Sequence, residues 1–144
     1  MACRVAIVDD SRTDAGFVEE LLVQWAADRH VVVQAEQFHS AESFLFRYAE
    51  ENDFDILLLD IEMGGMDGVS LAKRLRRDND TVQIVFITGY SDYIAEGYEV
   101  AALHYLMKPL DESKLFSVLD RAAEKLRKNE KVLHLELSGE MVRI

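Results

Sequence analysis

Short apolar runs alternate with amphipathic stretches along this 144-residue chain, and this alternation constrains the fold more than any other feature. After the first apolar run, Phe17, Leu21 and Trp25 recur at helical spacing, which favours a helix with Trp25 in the core. Five strand–helix repeats predict an α/β fold, (βα)5, whose doubly wound parallel sheet carries helices on both faces. The predicted strands occupy Arg4–Asp10, Val31–Phe38, Asp55–Ile61, Val82–Thr88 and Ala102–Met107.

Capping residues mark where several of the predicted helices begin. Ser40 is a good N-cap, a further helix begins near Asp67 or Gly68, and Asp111 caps the last one. Between Val82–Thr88 and Ala102–Met107, residues 91–101 are predicted to form a short helix.

Charged and hydroxyl side chains stand where four of the five predicted strands end. They are Asp9 and Asp10, Asp60, Thr88 and Lys108. The carboxyl ends of parallel strands meet at one edge of the sheet, so these side chains are predicted to share a small site. Carboxylates that close repel each other unless a cation lies between them, and Mg²⁺ suits such a set of oxygen ligands. Lys108 and Thr88 add a positive charge and a hydroxyl donor for an anionic oxygen, a combination that fits phosphoryl transfer to a carboxylate.

Each of these residues alone also has an ordinary structural interpretation. Asp9 and Asp10 could cap a helix, Asp60 could form a turn, Thr88 could bond to backbone, and Lys108 could be solvated. Their coincidence at four strand ends favours the functional interpretation.

Composition excludes several classes of protein. The formal charge of −11, from 16 basic and 27 acidic residues, disfavours binding to nucleic acid or an anionic membrane through this surface. Cys3 is the only cysteine, which excludes an internal disulfide and a cysteine-rich zinc module. The four histidines share no ligand spacing, and no apolar run is long enough to span a bilayer. The length is that of one domain, and these features together predict a reduced, cytoplasmic compartment.

The segments IVDDS, LLLDIEMGGMDG, FITGY and ALHYLMKPLD resemble the receiver domains of two-component response regulators over about residues 3–127. The resemblance implies a flavodoxin-like sheet with strand order 2-1-3-4-5. It implies that Asp60 is the phosphoacceptor and that Asp9, Asp10, Asp60 and the backbone carbonyl of Glu62 bind Mg²⁺.

The resemblance also assigns roles to the residues around the phosphoacceptor. Thr88 and Lys108 would contact the phosphoryl group, and the Lys108–Pro109 bond would be cis. Tyr105 would be a switch residue that moves inward with Thr88, although a surface tyrosine is the ordinary alternative. Glu62 and Tyr90 would tune the lifetime of the acyl phosphate. Gly64 departs from the family pattern, since many receivers have proline there, and glycine should loosen the loop.

The last residues do not continue the strand–helix pattern. Lys131–Ile144 shows alternating leucines, a Ser-Gly turn and a second extended run, which predicts a β-hairpin. This tail resembles the opening strands of a LytTR-type DNA-binding domain. We therefore predict a receiver domain at 1–128, followed at 129–144 by a linker and the first strands of an incomplete output domain.

The whole protein would then be a transcriptional regulator of the LytR/AlgR type. Its receiver would be phosphorylated by a sensor histidine kinase, dimerise on activation, have no membrane partner, and reach DNA only through the missing output domain. A stand-alone receiver that acts through protein contacts in a relay is an alternative, which the predicted hairpin disfavours. An aspartyl phosphatase is a second alternative, but its DxDx[TV] motif is absent after the first strand, where IVDDSRT stands. Steady turnover of a phosphomonoester would identify such an enzyme.

Overall fold

A five-stranded parallel sheet with helices on both faces forms the fold in the computed structural model, which describes residues 2–137, with side chains for 2–129. The strand order β2-β1-β3-β4-β5 confirms the prediction. The strands are β1 (Ala2–Val8), β2 (Val32–Phe38), β3 (Ile56–Leu59), β4 (Gln83–Thr88) and β5 (His104–Met107). The helices are α1 (Arg12–Arg29), α2 (Ala41–Glu50), α3 (Gly68–Arg76), α4 (Ile94–Glu99) and α5 (Glu112–Leu137).

Strand β3 is the most deeply enclosed element because β1 and β4 flank it and helices cover both of its faces. All four of its side chains are at most 1% exposed. Full burial of each aliphatic side chain contributes about 1.5–3 kcal/mol, so packing holds this short strand firmly. The residue that follows it, Asp60, therefore projects from a rigid platform.

Successive strand residues point into two separate cores. Ile7 packs with buried residues of α1 and α5, including Trp25 and Leu119, whereas Val8 packs on the opposite face with Phe44 of α2. The Trp25 indole N–H donates to Asp120 Oδ1 at 2.9 Å, which ties α1 to α5 across the first core. This two-faced burial confirms the doubly wound architecture.

The predicted capping residues occupy the helix starts. The Ser40 hydroxyl accepts from the Ser43 amide at 3.0 Å, and the Asp67 carboxylate accepts from the Ser70 amide at 2.8 Å. Asp111 accepts from the Ser113 amide at 2.9 Å, just before α5 begins. Helix α4 is shorter than predicted, and Tyr93 at its N-cap makes no side-chain capping bond.

The prediction of a β-strand over the first part of the tail is wrong. Helix α5 continues without interruption to Leu137, through the segment Lys131–Leu137 that was expected to begin a hairpin. No glycine or proline occurs between Glu112 and Leu137, and Lys, Glu, Leu and Arg dominate its second half, so nothing in the chain stops the helix there. The predicted turn and second strand, in residues 138–144, lie outside the described residues. The predicted domain boundary after residue 128 falls within α5 and stays a prediction.

Among the described residues, none of the helices combines the length and the apolarity needed to cross a membrane.

Candidate functional site at the carboxyl edge of the sheet

The sheet ladder brings the predicted site residues to one edge. The Asp60 amide donates to Val8 O at 2.9 Å, which places Asp60 beside the end of β1, where Asp9 follows. The Lys108 amide donates to Thr88 O at 2.8 Å, so β4 and β5 also end side by side. The predicted convergence of these strand ends is therefore present in the structure.

Three carboxylates form the acidic part of this site. One ligand atom from each of Asp9, Asp10 and Asp60 lies within 4.8 Å of the others. Asp9 and Asp60 are buried, with 4% and 7% exposure, whereas Asp10 is exposed and opens the cluster to solvent. Carboxylate oxygens gathered at this spacing, with one side open to water, are the ligand set that suits Mg²⁺.

Lys108 reaches into the cluster from the end of β5. Its Nζ donates to Asp9 Oδ2 at 2.9 Å, to Asp60 Oδ2 at 2.9 Å and to Asp14 Oδ2 at 2.7 Å. Burial lowers the pKa of this ammonium, but the hydrogen bonds to Asp14, Asp9 and Asp60 outweigh it, and the net pKa is raised. Lys108 therefore stays charged throughout the physiological range.

Asp9 shows that one ammonium does not compensate the buried carboxylates fully. Burial, and then repulsion from Asp60, raise the pKa of Asp9 despite the opposing bonds from Lys108 and the Ser11 amide. A raised carboxyl pKa means that the folded state holds the proton more tightly than the unfolded state does. The contribution of Asp9 to the free energy of unfolding therefore falls as the pH rises through its folded pKa. At neutral pH the carboxylates of the pocket favour the binding of an additional cation.

Asp60 is held in a defined orientation by a donor at each oxygen. Oδ1 accepts from the Ile61 amide at 2.7 Å, and Oδ2 accepts from Lys108 Nζ. A buried, oriented carboxylate beside a fixed positive charge can act as a nucleophile towards an anionic electrophile whose charge the ammonium offsets.

Asp14 belongs to the site but was not predicted from the sequence. It lies in the first turn of α1, and its amide donates to the hydroxyl of the N-cap residue Ser11 at 3.2 Å. Its carboxylate accepts a hydrogen bond from Lys108. An acidic residue at this position looks like an ordinary helix-start residue. The available signal was that α1 begins directly after β1, so its first turn lies at the same edge of the sheet.

Thr88 and Tyr105 are linked through the segment that follows β4. Thr88 is fully buried, and its hydroxyl accepts from the Tyr90 amide at 3.4 Å. The Tyr105 hydroxyl donates to the Tyr90 carbonyl, and its ring lies 5.8 Å from that of Phe86. The contacts therefore run from Thr88 to Tyr105 through Tyr90, while the predicted switch and tuning roles stay predictions.

Two further predicted features fall around this site. The Lys108–Pro109 peptide bond is cis, in agreement with the expectation. The Glu62 carboxylate accepts from the Tyr93 hydroxyl at 2.9 Å, so this side chain faces the start of α4, and the predicted metal-binding role of its backbone carbonyl stays a prediction.

We compared the sequence with known protein families to find which family has this arrangement of residues. The family of response regulator receiver domains matches residues 5–120. The chain belongs to that family. Its members are phosphoacceptor signalling modules of two-component systems, not classical enzymes; they bind Mg²⁺ at an acidic pocket and interact with sensor histidine kinases.

Individual relatives agree with the family assignment. The receiver is 35% identical over 118 residues to the sensory transduction protein LytT of Bacillus subtilis, a match covering 82% of this chain and 47% of LytT. It is 30% identical over 128 residues to the sensory transduction protein LytR of Streptococcus agalactiae, covering 87% of this chain and 48% of that one. The chain thus spans about half the length of the curated relatives that it matches.

Solved receiver structures share the fold. The receiver domain of AraT, a response regulator from Geobacillus stearothermophilus, superposes with a TM-score of 0.77 at 27% identity, covering 90% of this chain and 99% of that one. The response regulatory domain of MrkE from Klebsiella pneumoniae gives a TM-score of 0.71 at 26% identity, covering 87% and 98%.

Replacing Lys108 by methionine in this receiver is expected to destabilise the metal-free protein. Methionine keeps an unbranched side chain that is one atom shorter, but it leaves Asp9 and Asp60 buried without their ammonium. Removing one member of a buried ion pair typically costs about 3–5 kcal/mol, so we expect a loss of about 3 kcal/mol in urea unfolding with EDTA present.

Mg²⁺ should restore a larger share of stability to Lys108→Met than it adds to the wild type, because the cation takes over the compensation of the same carboxylates. Lys125→Met, an exposed substitution on α5, is the matched control and should change the free energy of unfolding by less than about 0.5 kcal/mol. Equal Mg²⁺ stabilisation of Lys108→Met and wild type would contradict this electrostatic account.

Proposed function

We propose that Asp60 accepts a phosphoryl group from a sensor histidine kinase in a reaction that requires Mg²⁺. The observation that supports this most directly is the Asp60 carboxylate itself, which is buried, oriented by the Ile61 amide and bonded to Lys108. The carboxylates of Asp9, Asp10 and Asp60 and the carbonyl of Glu62 would hold the metal. Bound Mg²⁺ would offset the negative charge of the phosphoryl oxygens.

Asp60, Lys108 and Thr88 each have a different role in the proposed phosphoryl transfer. A carboxylate oxygen of Asp60 forms the new bond to phosphorus as the bond between phosphorus and the histidine nitrogen of the donor breaks. The products are an acyl phosphate and a free histidine, so atoms and charge balance. Lys108 then donates to a phosphoryl oxygen instead of the Asp60 carboxylate, and Thr88 supplies a hydroxyl donor.

Phosphorylation would change the surface through the contacts between Thr88 and Tyr105. Movement of Thr88 towards the phosphoryl group would disturb the Tyr90 segment, to which the Tyr105 hydroxyl is bonded. A ligand shifts such an equilibrium only through contacts that differ between the two states, and the new phosphoryl group supplies them. The expected outcome is dimerisation.

We further infer that the whole protein regulates transcription through a LytTR-type output domain. Support comes from relatives named LytT, LytR and the transcriptional regulatory protein NatR of Bacillus subtilis. A charge of −11 makes this receiver unsuited to hold DNA itself, so contact with DNA is assigned to the output domain. We also propose a cytoplasmic compartment, on the basis of the acidic composition and the single cysteine. The alternative function is that of a stand-alone receiver that acts through protein contacts in a relay.

Incubation with acetyl phosphate and Mg²⁺ tests the proposal directly. Intact-mass spectrometry should show the addition of one phosphoryl group to the wild-type chain, and EDTA should prevent it because the acidic pocket then lacks its cation. A receiver of known activity, labelled under the same conditions, is the control. No mass increase while the control is labelled would overturn the proposed function.

A further inference from the structure

The loop between β3 and α3 carries Glu62 past the candidate site, and its two ends are firmly held. The Gly68 amide donates to Ile61 O at 2.8 Å, which closes the base of the loop. Asp67 caps α3 through the Ser70 amide. The tip of the loop contains the consecutive glycines Gly64 and Gly65, both exposed, so the chain itself adds little rigidity there.

A residue from a different element holds this tip. Glu42, in the first turn of α2, accepts from the Met66 amide through Oε2 at 2.9 Å. The bond joins residues 24 positions apart, so it fixes the tip relative to the body of the domain. The hydrogen bond from Met66 lowers the pKa of Glu42, because the bond favours the ionised carboxylate.

Gly65 shows how closely the carboxylate approaches the loop. Its φ of +80° lies in the left-handed region, and a Cβ atom built there would lie 2.7 Å from Glu42 Oε2. Gly65 allows this close approach for two reasons. It adopts the positive φ without strain, and it has no side chain that would collide with the Glu42 carboxylate.

The other side of the same loop is held by the bond from Tyr93 to the Glu62 carboxylate. Glu42 and Tyr93 therefore contact the loop from α2 and from the start of α4, respectively. Because Tyr93 holds the side chain of Glu62 and Glu42 holds the tip, the backbone between them is restrained from two directions.

We propose that Glu42 is a positioning residue that holds the β3–α3 loop in the conformation in which the Glu62 carbonyl completes the Mg²⁺ site. The inference rests on the proposed function, since it deepens the role of that site. A loop with two glycines loses much conformational freedom when it is ordered around a ligand, and ordering it beforehand reduces that loss.

Three variants of Glu42 separate the position of the carboxylate from its charge. Glu42→Ala removes both, Glu42→Asp keeps the charge but is one methylene too short, and Glu42→Gln keeps the length and an acceptor oxygen but loses the charge. Glu50→Ala, at the far end of α2, removes a glutamate from the same helix without touching the loop and is the matched control.

Two measurements are made on each variant. Calorimetric titration with Mg²⁺ should give an affinity about fivefold weaker for Glu42→Ala and Glu42→Asp, the factor expected for one lost hydrogen bond, and within about twofold of wild type for Glu42→Gln and Glu50→Ala. Amide exchange of Met66 in the metal-free protein, followed by NMR, should be faster by a similar factor in Glu42→Ala and Glu42→Asp only.

Each outcome decides the question. Equal Mg²⁺ affinity in all the variants would overturn the inference, and so would an affinity that follows charge, with Glu42→Asp like wild type and Glu42→Gln like Glu42→Ala. If the wild type binds no Mg²⁺, the proposed function fails first. In that case unchanged Met66 exchange in Glu42→Ala would show independently that Glu42 does not hold the loop.

Discussion

An Asp60→Asn variant is expected to take up no phosphoryl group from acetyl phosphate while retaining its fold. The amide is nearly the same size as the carboxylate, and its oxygen can still accept from the Ile61 amide, as Oδ1 does in the wild type at 2.7 Å. The amide nitrogen, however, cannot accept from Lys108 Nζ, and the amide lacks the negative charge that makes the carboxylate a nucleophile. Intact-mass spectrometry in Mg²⁺ should show only the unmodified chain.

The stability of Asp60→Asn should change little, because two effects oppose each other. The substitution removes the bond from Lys108 to Asp60 Oδ2, but it also removes the repulsion that helps raise the pKa of Asp9. Asp28→Asn, an exposed substitution on α1, is the matched control and should be phosphorylated like wild type. Phosphorylation of the Asp60→Asn chain at another carboxylate, located by peptide mapping, would contradict the assignment of Asp60.

Gly68→Ala is expected to be among the most destabilising single-methyl additions in this domain. A Cβ atom at Gly68 would overlap with the backbone oxygen of Asp60 and would lie 2.9 Å from Cα of Ile61. Both contacts are with backbone, so no side chain can rotate away to relieve them. Overpacking of this kind typically costs 1–3 kcal/mol when side chains can adjust, so we expect a loss of about 3 kcal/mol or more in urea unfolding.

The damage should extend to the site, since the clash is with Asp60, the proposed phosphoacceptor. Any Gly68→Ala protein that remains folded should be phosphorylated more slowly, because the start of α3 must move away from Asp60. Gly16→Ala is the matched control: a Cβ atom there meets nothing within 4 Å. Because Gly16 lies inside α1, that substitution should stabilise the protein by about 0.5–1 kcal/mol. Wild-type stability of Gly68→Ala would show that the approach of α3 to Asp60 is looser than the structure describes.

The fold was predictable because its signals are local and repeated. Each strand is a short apolar run, each helix shows helical spacing, and the caps at Ser40 and Asp67 mark where helices begin. The convergence of Asp9, Asp60, Thr88 and Lys108 followed from parallel strands alone, because such strands must end at the same edge.

The tail shows where local pattern misleads. Alternating leucines from Leu133 to Leu137 match a strand as well as a helix over so few residues. The lack of glycine and proline between Glu112 and Leu137 is easier to overlook than the alternating leucines. It agrees with the helix that the structure shows.

The sequence by itself determined the strand–helix order, the strand ends that carry charge, and the chemistry those charges allow. Only the tertiary structure decided that Asp14 shares the ammonium of Lys108 and that Glu42 holds the loop beside Asp60. Both are acidic residues in the first turn of a helix, where a favourable interaction with the helix dipole already accounts for them. Their second role depends on distances between elements far apart in the chain, and only the packing of the helices against the sheet sets those distances.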